Sequence, residues 1–94
     1  MKVNFYATLR QIVGQKEVDF DLDENATVNT LIELVLRSYP DLRPELLDEN
    51  GNMYPQVHVL VNGRDTVHLK DRLDTHLTSG DLVSIFPAVG GGTF

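Results

Sequence analysis

The last nine residues, FPAVGGGTF, place three consecutive glycines at 90–92 ahead of Thr93 and Phe94. Glycine has no Cβ, so a main chain built from it can approach a second molecule where any other residue would collide. Alone, such an end suits a frayed tail or an expression remnant as well as a reactive arm. The other residues with chemical capability narrow the choice. With no cysteine in the chain there is neither a disulfide framework nor a thiol nucleophile, and any sulfur chemistry must use another atom of the protein. His58, His68 and His76 share no helix face and lack the i, i+4 spacing of a zinc motif, so they read as surface or packing residues. Asp74 and His76 have no Ser or Cys beside them in a nucleophile–base arrangement. Gly14 and Gly63 belong to no phosphate-binding loop pattern and read as turn residues. The acidic runs Asp19, Asp21, Asp23, Glu24 and Asp48, Glu49 suit a solvated face first, and a contact with a basic partner second.

These candidates must be positioned by a small fold. A chain of 94 residues supports one modest core and not two, and 41% hydrophobic with 23% charged residues is globular composition. Fourteen acidic against eight basic residues give a formal charge of −6, and no Lys/Arg cluster stands out. Nucleic acid is therefore excluded as a partner, and a basic protein surface suits the charge better. The first residues alternate polar and apolar where a signal peptide would be uniformly apolar, and no later run reaches membrane-spanning length. The cytoplasm is the expected compartment.

Residues 2–9 alternate, with Val3, Phe5 and Ala7 on one side and Asn4, Tyr6 and Thr8 on the other, which predicts a half-buried strand. Residues 17–22 alternate again, Val18, Phe20 and Leu22 facing inward, so the two runs predict a hairpin with a longer turn around Gly14. Thr27 is the expected N-cap of a helix whose apolar positions are Val28, Leu31, Ile32, Val35 and Tyr39 and which Pro40 terminates. A further short turn is expected at 43–47 and a loop at 48–52. Val57, Val59 and Val61 define the inward face of a third strand, with His58 and Leu60 outward, before an Asn62-Gly63 turn suited to positive φ. A short strand near 66–68 is expected to pair back. The last strand, 82–86, turns Val83 and Ile85 inward. The order predicts an α+β domain with one helix covering one sheet face.

Four segments carry a resemblance: KVNFYATLRQIVG, ATVNTLIELV, VLVNGRD and, most specifically, LTSGDLVSIFPAVGGG. Together, over residues 2–92, they resemble the β-grasp, ubiquitin-like sulfur carriers, the MoaD/ThiS group that includes the small subunit of molybdopterin synthase. The resemblance implies a mixed sheet with one covering helix at 1–87 and a glycine-rich tail at 88–94. It implies no bound cofactor and no catalysis by the carrier itself. A MoeB/ThiF-type adenylating enzyme would use ATP and magnesium to activate the terminal glycine, and a sulfur donor would then leave a thiocarboxylate. Counted from Phe86-Pro87, the family's glycine pair falls on Gly91-Gly92, with Gly92 the reactive residue and Gly90 in a spacer position. Family chains usually stop there, so Thr93 and Phe94 would mark a precursor or a remnant, removed after Gly92 by a metalloprotease-type activity.

In a β-grasp sheet the first and last strands are adjacent and the third lies beside the last. Tyr6, Leu60 and Phe86 would then share the uncovered face and, with Pro87 and Val89 of the tail, form a docking surface for the adenylating enzyme and the molybdopterin synthase large subunit. Isolated exposed apolar residues remain the ordinary alternative. Molybdenum cofactor synthesis is the leading role that the resemblance implies. Carriers for cysteine or thiamine synthesis, a modifier conjugated to lysines through Gly92, and a plain binding module are the alternatives.

Overall fold

A computed structural model describes residues 1–88 of the chain. The opening alternation produces β1 (Lys2–Phe5), which buries Val3 and Phe5 completely. The strand stops there. Ala7 turns the backbone at φ 54°, and residues 8–13 form helix α1 (Thr8–Val13), closed by Gly14 at φ 83°, whose amide donates to the Arg10 carbonyl at 2.8 Å. This corrects the expectation of a strand through residue 9. Leu9 and Val13, four apart, both bury on one helical face, while Ala7, expected inward, is exposed. β2 (Glu17–Asp19) nevertheless pairs antiparallel with β1, Val3 opposite Val18, so the hairpin exists with a helix inside its connection.

The covering helix, α2 (Val28–Ser38), begins at the expected N-cap. The Thr30 amide donates to Thr27 Oγ1 at 3.3 Å, and the Thr27 amide donates to Thr30 Oγ1 at 3.3 Å, so the free donors of the first turn are satisfied reciprocally. Val28, Leu31, Ile32 and Val35 form its buried stripe. After Pro40 the chain continues through a 3₁₀ turn (Pro40–Leu42) into α3 (Arg43–Leu46), which together bury Leu42 and Leu46 completely.

β3 (His58–Val61) and β4 (Arg64–Asp65) flank a two-residue turn with Asn62 at φ 52° and Gly63 at φ 85°. This turn sets Val61 opposite Arg64, so the return strand falls at 64–65 and not at 66–68. Residues 66–68 coil instead into a 3₁₀ turn, because Asp65 Oδ1 accepts the Val67 amide at 3.1 Å and caps it. β5 (Leu82–Phe86) completes a five-stranded sheet of order β2-β1-β5-β3-β4, with β1 and β5 parallel and the other pairs antiparallel. The core lies between the sheet and α2, and Val59, Val83 and Ile85 of the sheet share one buried cluster with Leu31 and Val35 of the helix. This mixed, helix-covered sheet is the β-grasp, ubiquitin-like fold. No helix among the described residues is long and apolar enough to cross a membrane.

Candidate functional site

β5 occupies the centre of the sheet, hydrogen-bonded to β1 on one side and β3 on the other. The chain that continues beyond it therefore leaves from the most firmly held strand. Pro87 is buried and Ala88 packs half-buried against the core, so the root of the tail is seated in the globule. Pro87 thus offers little open surface in the free domain. Val89, Gly90, Gly91, Gly92, Thr93 and Phe94, which carry the expected reactive end, lie outside the described residues.

On the uncovered face, the parallel register that sets Phe5 beside Ile85 brings the next two residues together. The Tyr6 and Phe86 rings stack with centroids 4.2 Å apart and planes 11° from parallel. The Tyr6 amide donates to the Ile85 carbonyl at 3.3 Å and ties the pair through the backbone. Leu60 is on the same face but not across from Phe86. It sits opposite Ser84, one diagonal away, while His58 stands directly opposite Phe86. Tyr6, Leu60 and Phe86 are all half-buried. Leu82, further down the same face of β5, is more exposed, at 37%.

Two features of this face escaped the sequence reading. The Arg10 guanidinium lies 5.5 Å from the centre of the Tyr6 ring, and its Nε donates to the Phe5 carbonyl at 3.0 Å. The cation thus extends the aromatic stack by an attraction to the ring face. Only recognition of α1 as a helix would have suggested it, because the helix folds Arg10 back over Tyr6. The second is a pair between His58 Nδ1 and Asp65 Oδ2 at 2.7 Å. Its signal was the Asn62-Gly63 turn, which sets Asp65 across from Leu60 and diagonal to His58. Burial pushes the Asp65 carboxyl up, but the Val67 amide, the His58 hydrogen bond and the neighbouring histidine charges outweigh it, so it stays below the usual carboxylate value.

The VNGRD and LTSGD segments, far apart in sequence, form one lock at the start of β5. Asp81 Oδ2 accepts the Thr78 amide at 2.8 Å and its Oδ1 accepts Asn62 Nδ2 at 2.9 Å. Asn62 Oδ1 in turn accepts the Leu82 amide at 2.9 Å. The Thr78 amide is the main reason the Asp81 carboxyl is held below its usual value; the Asn62 amide adds to it, against an opposing effect of burial. A depressed folded value means that the contribution is complete above the unfolded carboxylate value, near about pH 4, and is lost as pH falls through the folded value. Asp81→Ala is expected to cost about 1–2 kcal/mol at neutral pH and to flatten the loss of stability below pH ~4. Denaturation curves across that range check it; an unchanged acid limb would remove Asp81 from the account.

Among the described residues, no group of three or more His, Asp or Glu could hold a metal ion. This face presents the half-buried Tyr6–Phe86 stack, with Leu60 one diagonal away, at the end of β5 that leads into Pro87. A β-grasp domain whose central strand runs into a side-chain-poor end defines the class of protein-borne carriers and ubiquitin-like modifiers. Within that class the chain belongs to the ThiS family, whose sequence profile matches residues 3–92. It is 42% identical over 92 residues to small archaeal modifier protein 3 of Haloferax volcanii, covering 98% of both chains. It is 37% identical over 92 residues to a proposed sulfur carrier protein of Archaeoglobus fulgidus, again covering 98% of both. Among solved structures, the proposed molybdopterin converting factor subunit 1 of Pyrococcus furiosus superposes with a TM-score of 0.73 at 33% identity, over 94% of this chain and 95% of that one.

Proposed function

We propose that this protein carries sulfur as a thiocarboxylate on Gly92 and donates it in molybdopterin synthesis. Hydrolysis of the Gly92–Thr93 peptide bond first frees the Gly92 carboxylate. That carboxylate attacks the α-phosphorus of ATP on an adenylating enzyme of the MoeB/ThiF type, and pyrophosphate leaves. Sulfide from a sulfur donor then attacks the acyl carbon and expels AMP, leaving the thiocarboxylate with no change of oxidation state. Activation is needed because a carboxylate is a poor electrophile, and the charges that stabilise both steps, magnesium included, reside in the partner. The observation that carries this reading is the Tyr6–Phe86 stack at the root of a glycine tail, in a chain that has no cysteine to hold sulfur otherwise. The Pyrococcus furiosus neighbour supports the choice of molybdopterin synthesis as the pathway.

Phe86→Glu is the test of the docking face. The substitution is expected to weaken binding to the adenylating enzyme, and to the large synthase subunit, by about tenfold or more, which is ~1.4 kcal/mol. The half-buried ring allows the thermal midpoint to stay near that of the parent. Titration calorimetry paired with thermal melts separates the two effects; parallel loss of binding and stability would place the ring in the core.

One observation favours a second reading. The 42% identical relative is named as a modifier, and a modifier would use the same activated Gly92 to acylate a lysine amine. The products separate the two: a thiocarboxylate marks a carrier, an isopeptide-linked lysine marks a modifier.

A further inference from the structure

Two hollows of about 570 Å³ and 610 Å³ share Met53 and Leu73 as a common wall, and neither is lined by Tyr6, Leu60 or Phe86. The larger opens along the flank of α2, between the exposed Asn29, Glu33 and Arg37 and the buried Ile32, and so on the helix-covered side of the sheet. The smaller has an apolar bed that includes Tyr54, Val57 and Val67. Val67, at 57%, is the most exposed large apolar side chain among the described residues.

The charge around them differs from the rest of the molecule. Arg37, Arg43, Lys70 and Arg72 line the two hollows, which is four of the chain's eight basic residues. Only three of its fourteen acidic residues, Glu33, Asp71 and Asp74, line them. Of those three, Asp74 is already engaged, accepting Asn29 Nδ2 at 2.9 Å. None of the four cations belongs to an ion pair among the described residues, where the pairs are Met1–Asp19, Lys2–Glu17 and His58–Asp65. Arg72 is also held at φ 48°, a left-handed conformation that is strained for a non-glycine residue. A strongly acidic protein has thus gathered unpaired cations around an open apolar bed.

We propose that this two-lobed surface docks a segment of a partner protein that carries apolar anchors flanked by carboxylates. The apolar anchors fill the bed of Met53, Tyr54, Val67 and Leu73, and the carboxylates meet Arg37, Arg43, Lys70 and Arg72. The rest of the chain, with four basic and eleven acidic residues, repels the same segment, so the field selects this face as well as the partner. Because the surface is separate from the Tyr6–Phe86 face, a protein bound here leaves the tail side open. The proposal does not depend on whether the chain passes sulfur or modifies lysines.

The test titrates the ¹⁵N-labelled full chain with the synthetic peptide Glu-Glu-Phe-Glu-Glu-Leu-Glu, with a twin in which every Glu is Lys, and with one in which Phe and Leu are Ser. The acidic apolar peptide is expected to shift the amides of Arg37, Val67, Lys70 and Leu73 while those of Tyr6 and Phe86 stay in place. The two control peptides are expected to bind about tenfold more weakly or not at all. Arg37→Glu with Lys70→Glu, exposed changes whose spectra show whether the fold is kept, should cost the acidic peptide a similar factor. Should that pair fail to fold, Arg37→Gln and Lys70→Gln singly, each expected to weaken the peptide, take its place. Equal binding of the lysine twin, shifts centred on Tyr6 and Phe86, or no shifts at millimolar peptide overturns the proposal. So does sedimentation that shows a second copy of the chain closing the hollows.

Discussion

A chain that ends at Gly92, given its adenylating enzyme, ATP, magnesium and a sulfur donor, is expected to exchange one carboxyl oxygen for sulfur, while the chain that ends at Phe94 stays unmodified. In the first, the carboxylate sits on a residue without a side chain and can enter a narrow cleft to reach the α-phosphorus. In the second, the only terminal carboxylate belongs to Phe94, and a benzyl group stands where the cleft must close on backbone. Misplacing a reacting atom by about 1 Å can cost a hundredfold in rate, and displacing it by two residues moves it several times further. The difference between the two chains is therefore expected to exceed about a hundredfold. Intact-mass spectra of both reactions, and of chain recovered from cells, measure it. Sulfur incorporated with Thr93 and Phe94 still present would sink the assignment of Gly92, and transfer by a chain cut before Gly90 would sink the carrier reading altogether.

Phe5→Ala is expected to have the largest effect on stability. The ring is fully buried between the sheet and the helical layer, its centroid 6.3 Å from that of Tyr39 in an edge-to-face arrangement. Removing a buried phenylalanine costs about 3–5 kcal/mol, which is the transfer energy of the ring plus the cavity it leaves. Domains of this kind have about 5–15 kcal/mol in total, so a large share of the margin disappears. Any fall in partner binding should then follow the unfolded fraction and be restored at low temperature or by an osmolyte. Phe86→Glu should behave in the opposite way, with the fold kept and docking lost. Urea denaturation of Phe5→Ala measures the first effect; a loss under about 1.5 kcal/mol would mean that the site collapses around the gap or that the ring packs less tightly than its burial implies.

Much of the fold was legible in short stretches. The Thr27 cap, the buried stripe of α2, the inward valines of β3 and the inward pair Val83 and Ile85 of β5 all follow from periodicities that the local backbone imposes. The same logic failed where two periods overlap. Residues 2–9 fit a strand, but Leu9 and Val13 also fit one turn of helix, and burial of both against the core decided for α1. The strand expected at 66–68 was misplaced because the two-residue turn, not the apolar pattern, sets where pairing resumes.

By itself, the sequence determined the inward faces of α2, β3 and β5, where the covering helix starts and stops, and that any reactive sulfur must sit on something other than a thiol. Those properties depend on side-chain type and on geometry repeated every two or every 3.6 residues, and need no knowledge of distant chain. Only the tertiary structure decided that Tyr6 stacks on Phe86, that Arg10 covers that stack, that Asn62 locks onto Asp81, and that four cations gather around two joined hollows. Each of these joins segments that meet only after strand order and register are set, and a shift of one residue in register would turn the opposing side chains to the other face.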